Sequence, residues 1–138
     1  MVEDRRVVLD ASALLAWLFK ERGGDVIEQV LPYGVIPLPN LAEVLVISAR
    51  RGFAMDSEGL RERIVAYGVS VEAPAVGDEI RAAELIVHSY ARRAELGGTV
   101  SLGDGLCIAV AERLGLPISS GDRLWTKLPL KVPYQPFR

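Results

Sequence analysis

The 138-residue sequence has one cysteine and one histidine. Cys107 has no second cysteine to pair with, which excludes an internal disulfide and fits a reducing compartment. His88 and Cys107 also cannot form the nitrogen–sulfur clusters that hold zinc. Long apolar runs are missing as well. The longest, Ala11 to Phe19 and Leu106 to Ala111, are too short to span a bilayer. The start, Met1-Val2-Glu3-Asp4-Arg5-Arg6, runs straight into a strand-like segment and lacks the apolar stretch and cleavage site of a signal peptide. A cytoplasmic protein with no membrane partner is therefore expected. Excess positive charge is absent too, the net charge being -2. A protein that binds nucleic acid through its bulk field would be strongly basic. Any such contact here needs a local basic patch, a cationic cofactor, or both.

What is present is an ordinary globular composition, half hydrophobic and one quarter charged. The length suits a single domain over residues 1–138 with one core. Apolar, β-branched runs alternate with helical patterns. Strands are expected at Val7–Leu9, Gly34–Pro37, Val69–Glu72 and Leu116–Ser119, with a last edge strand at Lys131–Tyr134. Helices are expected from Ala11 to Phe19, from Pro39 or Asn40 to Arg51, and from Asp56 to Tyr67. Others are expected from Asp78 to Leu96, from Ser101 to Gly115 and from Arg123 to Leu128. In the long helix the period favours Ile80, Ala83, Val87, Tyr90, Ala91 and Ala94 as the inward stripe. In the next, Cys107, Val110, Ala111 and Leu114 form it. Such alternation implies a mostly parallel sheet covered on both faces. Ligands then bind beyond the carboxyl ends of the strands.

Four acids fall on that rim: Asp10, Glu43, Asp104 and Asp122. Each also has a plain structural use. Asp10 and Asp122 follow strands and suit helix N-caps. Glu43 stands three residues after Asn40, and Asp104 three after Ser101, as in capping boxes. Together, however, four carboxylates in one crevice repel each other. A bound divalent cation relieves that conflict, and all-oxygen ligands suit Mg²⁺ or Mn²⁺. Such an ion reverses the local charge, polarises a phosphoryl oxygen and acidifies water. In two-metal sites a pair of ions about 3.5–4 Å apart does this.

The stretches Val8-Leu9-Asp10-Ala11-Ser12, Asn40-Leu41-Ala42-Glu43-Val44-Leu45, Ser101-Leu102-Gly103-Asp104-Gly105-Leu106 and Ser120-Gly121-Asp122-Arg123-Leu124-Trp125 carry a resemblance. In order and spacing the chain resembles PIN-domain ribonucleases, and among them the VapC-type toxins of toxin–antitoxin pairs. The resemblance implies a three-layer α/β/α fold with a five-stranded sheet of order 3-2-1-4-5. It implies that Asp10, Glu43, Asp104 and Asp122 hold Mg²⁺ or Mn²⁺ for RNA hydrolysis, with Ser12 and Ser120 as supporting hydroxyls. It also implies a homodimer and an antitoxin partner that covers the acidic site. Gly103 and Gly105 depart from the family, which more often has helix formers there.

Arg123 adjoins Asp122 and is the candidate for RNA contact. Arg50-Arg51 and Arg92-Arg93 sit near helix C-termini, where cations are favourable in any case. His88, Cys107, Trp17 and Trp125 read as packing residues. Leu85 and Ile86 fall off the expected inward stripe and would form a dimer patch. Two other readings remain open: a PIN nuclease of RNA processing or quality control, and a catalytically inactive interaction module. A phosphoacceptor receiver domain would want an Asp after the third strand. Here that strand ends Val71-Glu72-Ala73.

Overall fold

Val7, Val8 and Leu9 are all buried and form the central strand β1 (Val7–Leu9). The computed structural model describes residues 4–138, so Met1–Glu3, where the expected leaderless start and the domain boundary fall, lie outside the described residues. β1 pairs in parallel with β2 (Gly34–Pro37) on one side and β4 (Ile118–Ser119) on the other. β3 (Ser70–Glu72) pairs in parallel with β2, giving the order β3-β2-β1-β4. Alternate side chains of β1 enter two different cores, as strand geometry requires. Val7 and Leu9 join Ile36 in one apolar cluster; Val8 joins Val35 and Ile118 in the other.

The first cluster is closed by α1 (Ala11–Leu18), α2 (Gly24–Val30), α3 (Leu38–Arg50) and α4 (Ser57–Ala66). The second is closed by α5 (Asp78–Ala91), α6 (Arg93–Leu96) and α7 (Leu102–Leu114). This is a three-layer α/β/α arrangement. α7 packs against α5, β2 and α3, which is why Gly105 and the whole run Cys107–Ala111 are buried rather than one stripe. Among the described residues, no helix is long and apolar enough to cross a membrane.

Several expectations need correction. Among the described residues the sheet has four strands, not five. Where a last edge strand was expected, a single parallel bridge joins Tyr134 to Ile118. Pro133 has no amide hydrogen to donate, so pairing is limited to Ile118 N–H to Pro133 O at 2.9 Å and Gln135 N–H to Ile118 O at 2.7 Å. The long helix is broken at Arg92 into α5 and α6. The break lets Leu96 and Val100 turn into the second core, where Val100 N–H reaches Ser89 Oγ at 2.9 Å.

The inward face of α5 is also not the expected one. Ala82, Leu85 and Ser89 are buried, whereas Ile80, Val87 and Tyr90 are more than half exposed. Leu85 lies in the core and Ile86 packs against it, so they form no dimer patch. α2 was not expected at all. Its start is hidden by Gly23-Gly24, and Gly24 is needed there because a Cβ would stand 2.3 Å from the Ala16 carbonyl oxygen of α1.

Candidate active site

Asp10 follows β1 and caps α1, its Oδ1 accepting from Ala13 N–H at 3.0 Å. The capping role expected from sequence is therefore real, but it does not exhaust the carboxylate. Ser12 Oγ donates to Oδ1 at 2.7 Å and Ser120 Oγ donates to Oδ2 at 2.6 Å. Asp10 is only 4 % exposed. Burial pushes its carboxyl pKa up, the two hydroxyls and the amide pull it down, and Glu43 adds a smaller upward push. The same serines shape the loop after β4. Gly121 N–H donates to Ser12 Oγ at 2.9 Å, and Asp122 N–H to Ser120 Oγ at 3.0 Å. Asp122 then caps the 3-10 turn Arg123–Lys127 through Leu124 N–H at 3.0 Å, and its side chain stays exposed.

Glu43 lies in the second turn of α3 and Asp104 in the first turn of α7. The capping box expected at Glu43 does not form, because α3 begins earlier. Its cap is Pro37, and Asn40 is already helical. Pro39 fits the first turn, where its missing N–H has no partner to lose. Asn40 is instead buried and turns toward α7, where its Nδ2 donates to Gly103 O at 3.3 Å. Ser101 does cap α7, accepting from Asp104 N–H at 3.1 Å. The Asn40 contact thus ties together the two helical turns that carry Glu43 and Asp104.

The two halves of the rim act on each other. Asp104 has its pKa raised to about 6, first by burial and then by Asp10, Asp122 and Glu43, with Ser101 pulling the other way. Cys107, fully buried behind the site, is raised too, by burial and then by Asp10, Asp104 and Glu43. A crevice of mutually repelling carboxylates is the physical setting that a hard cation would relieve. Among the described residues, no three His, Cys, Asp or Glu side chains stand together closely enough to hold a metal ion as placed. The donors nevertheless fit such an ion in kind: they are all oxygens, and Glu43 and Asp122 are exposed, with Asp122 Oδ2 not used by the cap.

Two residues near this rim were not singled out from sequence. Tyr134 donates to Ser120 O at 2.6 Å and lies 3.2 Å from Asp122 O, latching the loop that carries both residues. Arg138 lies against Gly121. Neither carried a motif signal, since an aromatic after a proline and an arginine after a phenylalanine are common. Arg123 is exposed beside Asp122, in a shallow groove with Gly97, Gly98, Thr99 and Lys127.

The PIN domain family model matches residues 7–129, and the chain belongs to the PIN-domain family. Among solved structures it is similar to VapC20 of Mycobacterium tuberculosis, described as a sarcin–ricin loop cleaving toxin. The two share 17 % identity over 88 % of this chain and 94 % of that one, with a TM-score of 0.66. DNA-bound VapBC from Salmonella typhimurium shares 17 % identity over 96 % and 98 % of the two chains, with a TM-score of 0.65. VapBC2 from Rickettsia felis, bound to a promoter fragment, shares 12 % over 94 % and 97 %, with a TM-score of 0.68. At these identities the likeness is one of fold. No match to a curated protein sequence is found.

Proposed function

We propose that the chain is a divalent-metal-dependent endoribonuclease and the toxin of a toxin–antitoxin pair. The observation that carries this reading is the linked rim. Hydrogen bonds join Asp10 to the loop of Asp122 and the turn of Glu43 to that of Asp104, and the field of the other three acids reaches Asp104. Asp10, Glu43, Asp104 and Asp122 would hold Mg²⁺ or Mn²⁺. When bound, such an ion offsets the carboxylates, polarises a phosphoryl oxygen and acidifies water.

The chain's own residues supply order. Ser12, Ser120 and the Ala13 amide fix the Asp10 carboxylate in one direction and favour its ionised form against burial. Tyr134 holds the Ser120–Asp122 loop from outside. Asn40 sets the spacing between α3 and α7. The reaction is hydrolysis of a phosphodiester: water oxygen bonds to phosphorus, one P–O ester bond breaks, and the leaving oxygen takes a proton.

An antitoxin partner is supported by the folds of the VapBC complexes above. A basic side chain of that partner placed among the four acids would neutralise them as a cation does. A homodimer is supported by the exposed Ile80, Val87 and Tyr90 on α5, and a cytoplasmic setting by the single, unpaired Cys107.

The test is cleavage of total cellular RNA by the purified protein, with mapped ends. Cutting with Mg²⁺ or Mn²⁺, lost in EDTA and in Asp10→Asn and Asp104→Asn, is expected. Cutting that survives EDTA and both substitutions would refute the metal-dependent site.

A further inference from the structure

We propose that Arg138 is a phosphate-binding residue of the substrate cleft, holding a phosphate of the RNA strand beside the acidic pocket. The proposal rests on the ribonuclease reading above and adds a residue to it. The guanidinium lies on the loop between Ser120 and Asp122. A Cβ placed on Gly121 would stand 2.6 Å from Arg138 Nη2, 2.7 Å from Nε and 2.9 Å from Cζ. The guanidinium thus occupies the space that a side chain at position 121 would take, and a Cβ there would displace it. Gly121 itself is fixed by its N–H bond to Ser12, which also donates to Asp10. The cation is thus set against the loop that carries Asp122 and the hydroxyl that orients Asp10.

Its donors are unspent. Among the described residues, no hydrogen bond takes any N–H of this guanidinium. Among the described residues its ion-pair partner is Glu21, with Nη1 to Oε1 at 3.7 Å, beyond hydrogen-bond reach. Glu21 Oε2 is already engaged by Arg51 at 3.2 Å. Two other arginines are committed to the fold. Arg81 pairs with Glu112 at 2.6 Å, and Arg113 with Asp78 at 3.1 Å. Arg138 side chain is 31 % exposed, so it is neither free in solvent nor satisfied inside. A guanidinium with its fork of donors open at an anionic rim is suited to bidentate capture of a phosphate.

The residue is also pre-positioned. Phe137 is buried in the first core, and its carbonyl packs on Gly23, whose φ of +84 lets the chains meet. Arg138 Cζ stands 5.1 Å from the Phe137 ring centroid. Arg123 Nη2 donates to Arg138 O at 3.4 Å, so two arginines meet on one side of the pocket. Four carboxylates repel an RNA strand, and cations at their edge supply the attraction that the net charge of -2 does not.

The test uses the full chain carrying Asp104→Asn, to stop cleavage, with Mg²⁺ present. Its probe is a fluorescein-labelled oligouridylate read by anisotropy over a range of salt. Arg138→Met should weaken binding about tenfold, the worth of a charge-assisted contact. It should also reduce the slope of log K against log salt by about 0.7, as for one lost phosphate contact on a single strand. Arg138→Lys should recover part of the affinity. Glu21→Gln removes the neighbouring carboxylate and should leave binding equal or tighter. Melting temperatures of all variants separate binding from folding. If Arg138 merely ties the segment to Glu21, Arg138→Met and Glu21→Gln lower the melting temperature together and leave the salt slope unchanged, which overturns the proposal. Failure of the Asp104→Asn parent to bind RNA at all overturns the ribonuclease reading along with it.

Discussion

The Ser120 hydroxyl donates to Asp10 Oδ2 at 2.6 Å although 110 positions separate the two residues. One small side chain thereby closes the rim between β1 and β4 and shares the burial cost of a carboxylate. Ser120→Ala should raise the Asp10 pKa further, because a downward influence is lost and burial remains. It also frees the Asp122 amide, which donates to the same oxygen. The expected loss is about 1–3 kcal/mol, the cost of leaving a buried polar group short of a partner. Urea unfolding at neutral pH measures it. A variant as stable as the parent would show that Ser120 contributes no more than volume.

Asp104 makes the stability of the metal-free protein depend on pH in an unusual direction. Its carboxyl titrates at about 6 in the folded chain against a reference of 3.8. Between these values the folded chain keeps a proton that the unfolded chain has released, so stability falls as pH rises through the interval and levels off above about 6. The penalty is absent below the lower value. At neutral pH it amounts to about 2–3 kcal/mol. Asp104→Asn removes it. In EDTA the variant should therefore gain on the parent by about that amount between pH 4 and 7.5, as read by urea midpoints at several pH values. A constant difference between the two proteins would contradict the crowded-carboxylate picture.

The two glycines flanking Asp104 should respond to alanine with opposite signs. A Cβ on Gly103 meets nothing closer than Glu43 Oε2 at 3.7 Å, an ordinary contact. There the better helix propensity of alanine prevails, by up to about 1 kcal/mol. A Cβ on Gly105 would stand 3.2 Å from Ala82 O and 3.3 Å from Ala82 Cβ, at the buried α5–α7 contact. Gly105→Ala should cost about 1–3 kcal/mol, as overpacking does. Paired melting curves decide the matter, and equal signs would refute it.

Much of the candidate site is legible in the sequence because its acids are local in origin. Asp10 and Asp122 follow apolar strand runs, Asp104 follows a Ser101 cap, and each such signal lies within a few residues. What lay beyond reach depends on distant segments meeting. Asn40 reads as an N-cap from its neighbours, yet its amide bonds to Gly103, 63 positions away. Tyr134 and Arg138 gain their places only through the Ile118 bridge and the burial of Phe137. The buried face of α5 likewise depends on a distant segment. Ile80, Val87 and Tyr90 have helical spacing, but so do Ala82, Leu85 and Ser89. The small Ala82 and Ser89 take the inward side because Gly105 of α7 packs on Ala82 and Ser89 Oγ accepts from Val100 N–H.

The exposed side of α5 makes a dimer contact testable. Ile80, Val87 and Tyr90 are 64 %, 67 % and 55 % exposed, one apolar face along an outer helix. If two copies meet there, the contact is isologous and each residue meets the partner's matching face. Val87→Glu places a charge in that contact and should convert a dimer to a monomer in analytical ultracentrifugation. As a surface change on a monomer it should alter intrinsic stability by no more than about 0.5 kcal/mol. Leu85→Glu is the contrasting variant. Leu85 is fully buried, so the substitution drives a charge into the second core and should abolish folding rather than association. A parent protein that stays monomeric at high concentration, or a Val87→Glu protein that still dimerises, would remove α5 as the contact. The remaining exposed apolar side chains, such as Val46 and Leu38 on α3, would then be the surfaces to examine.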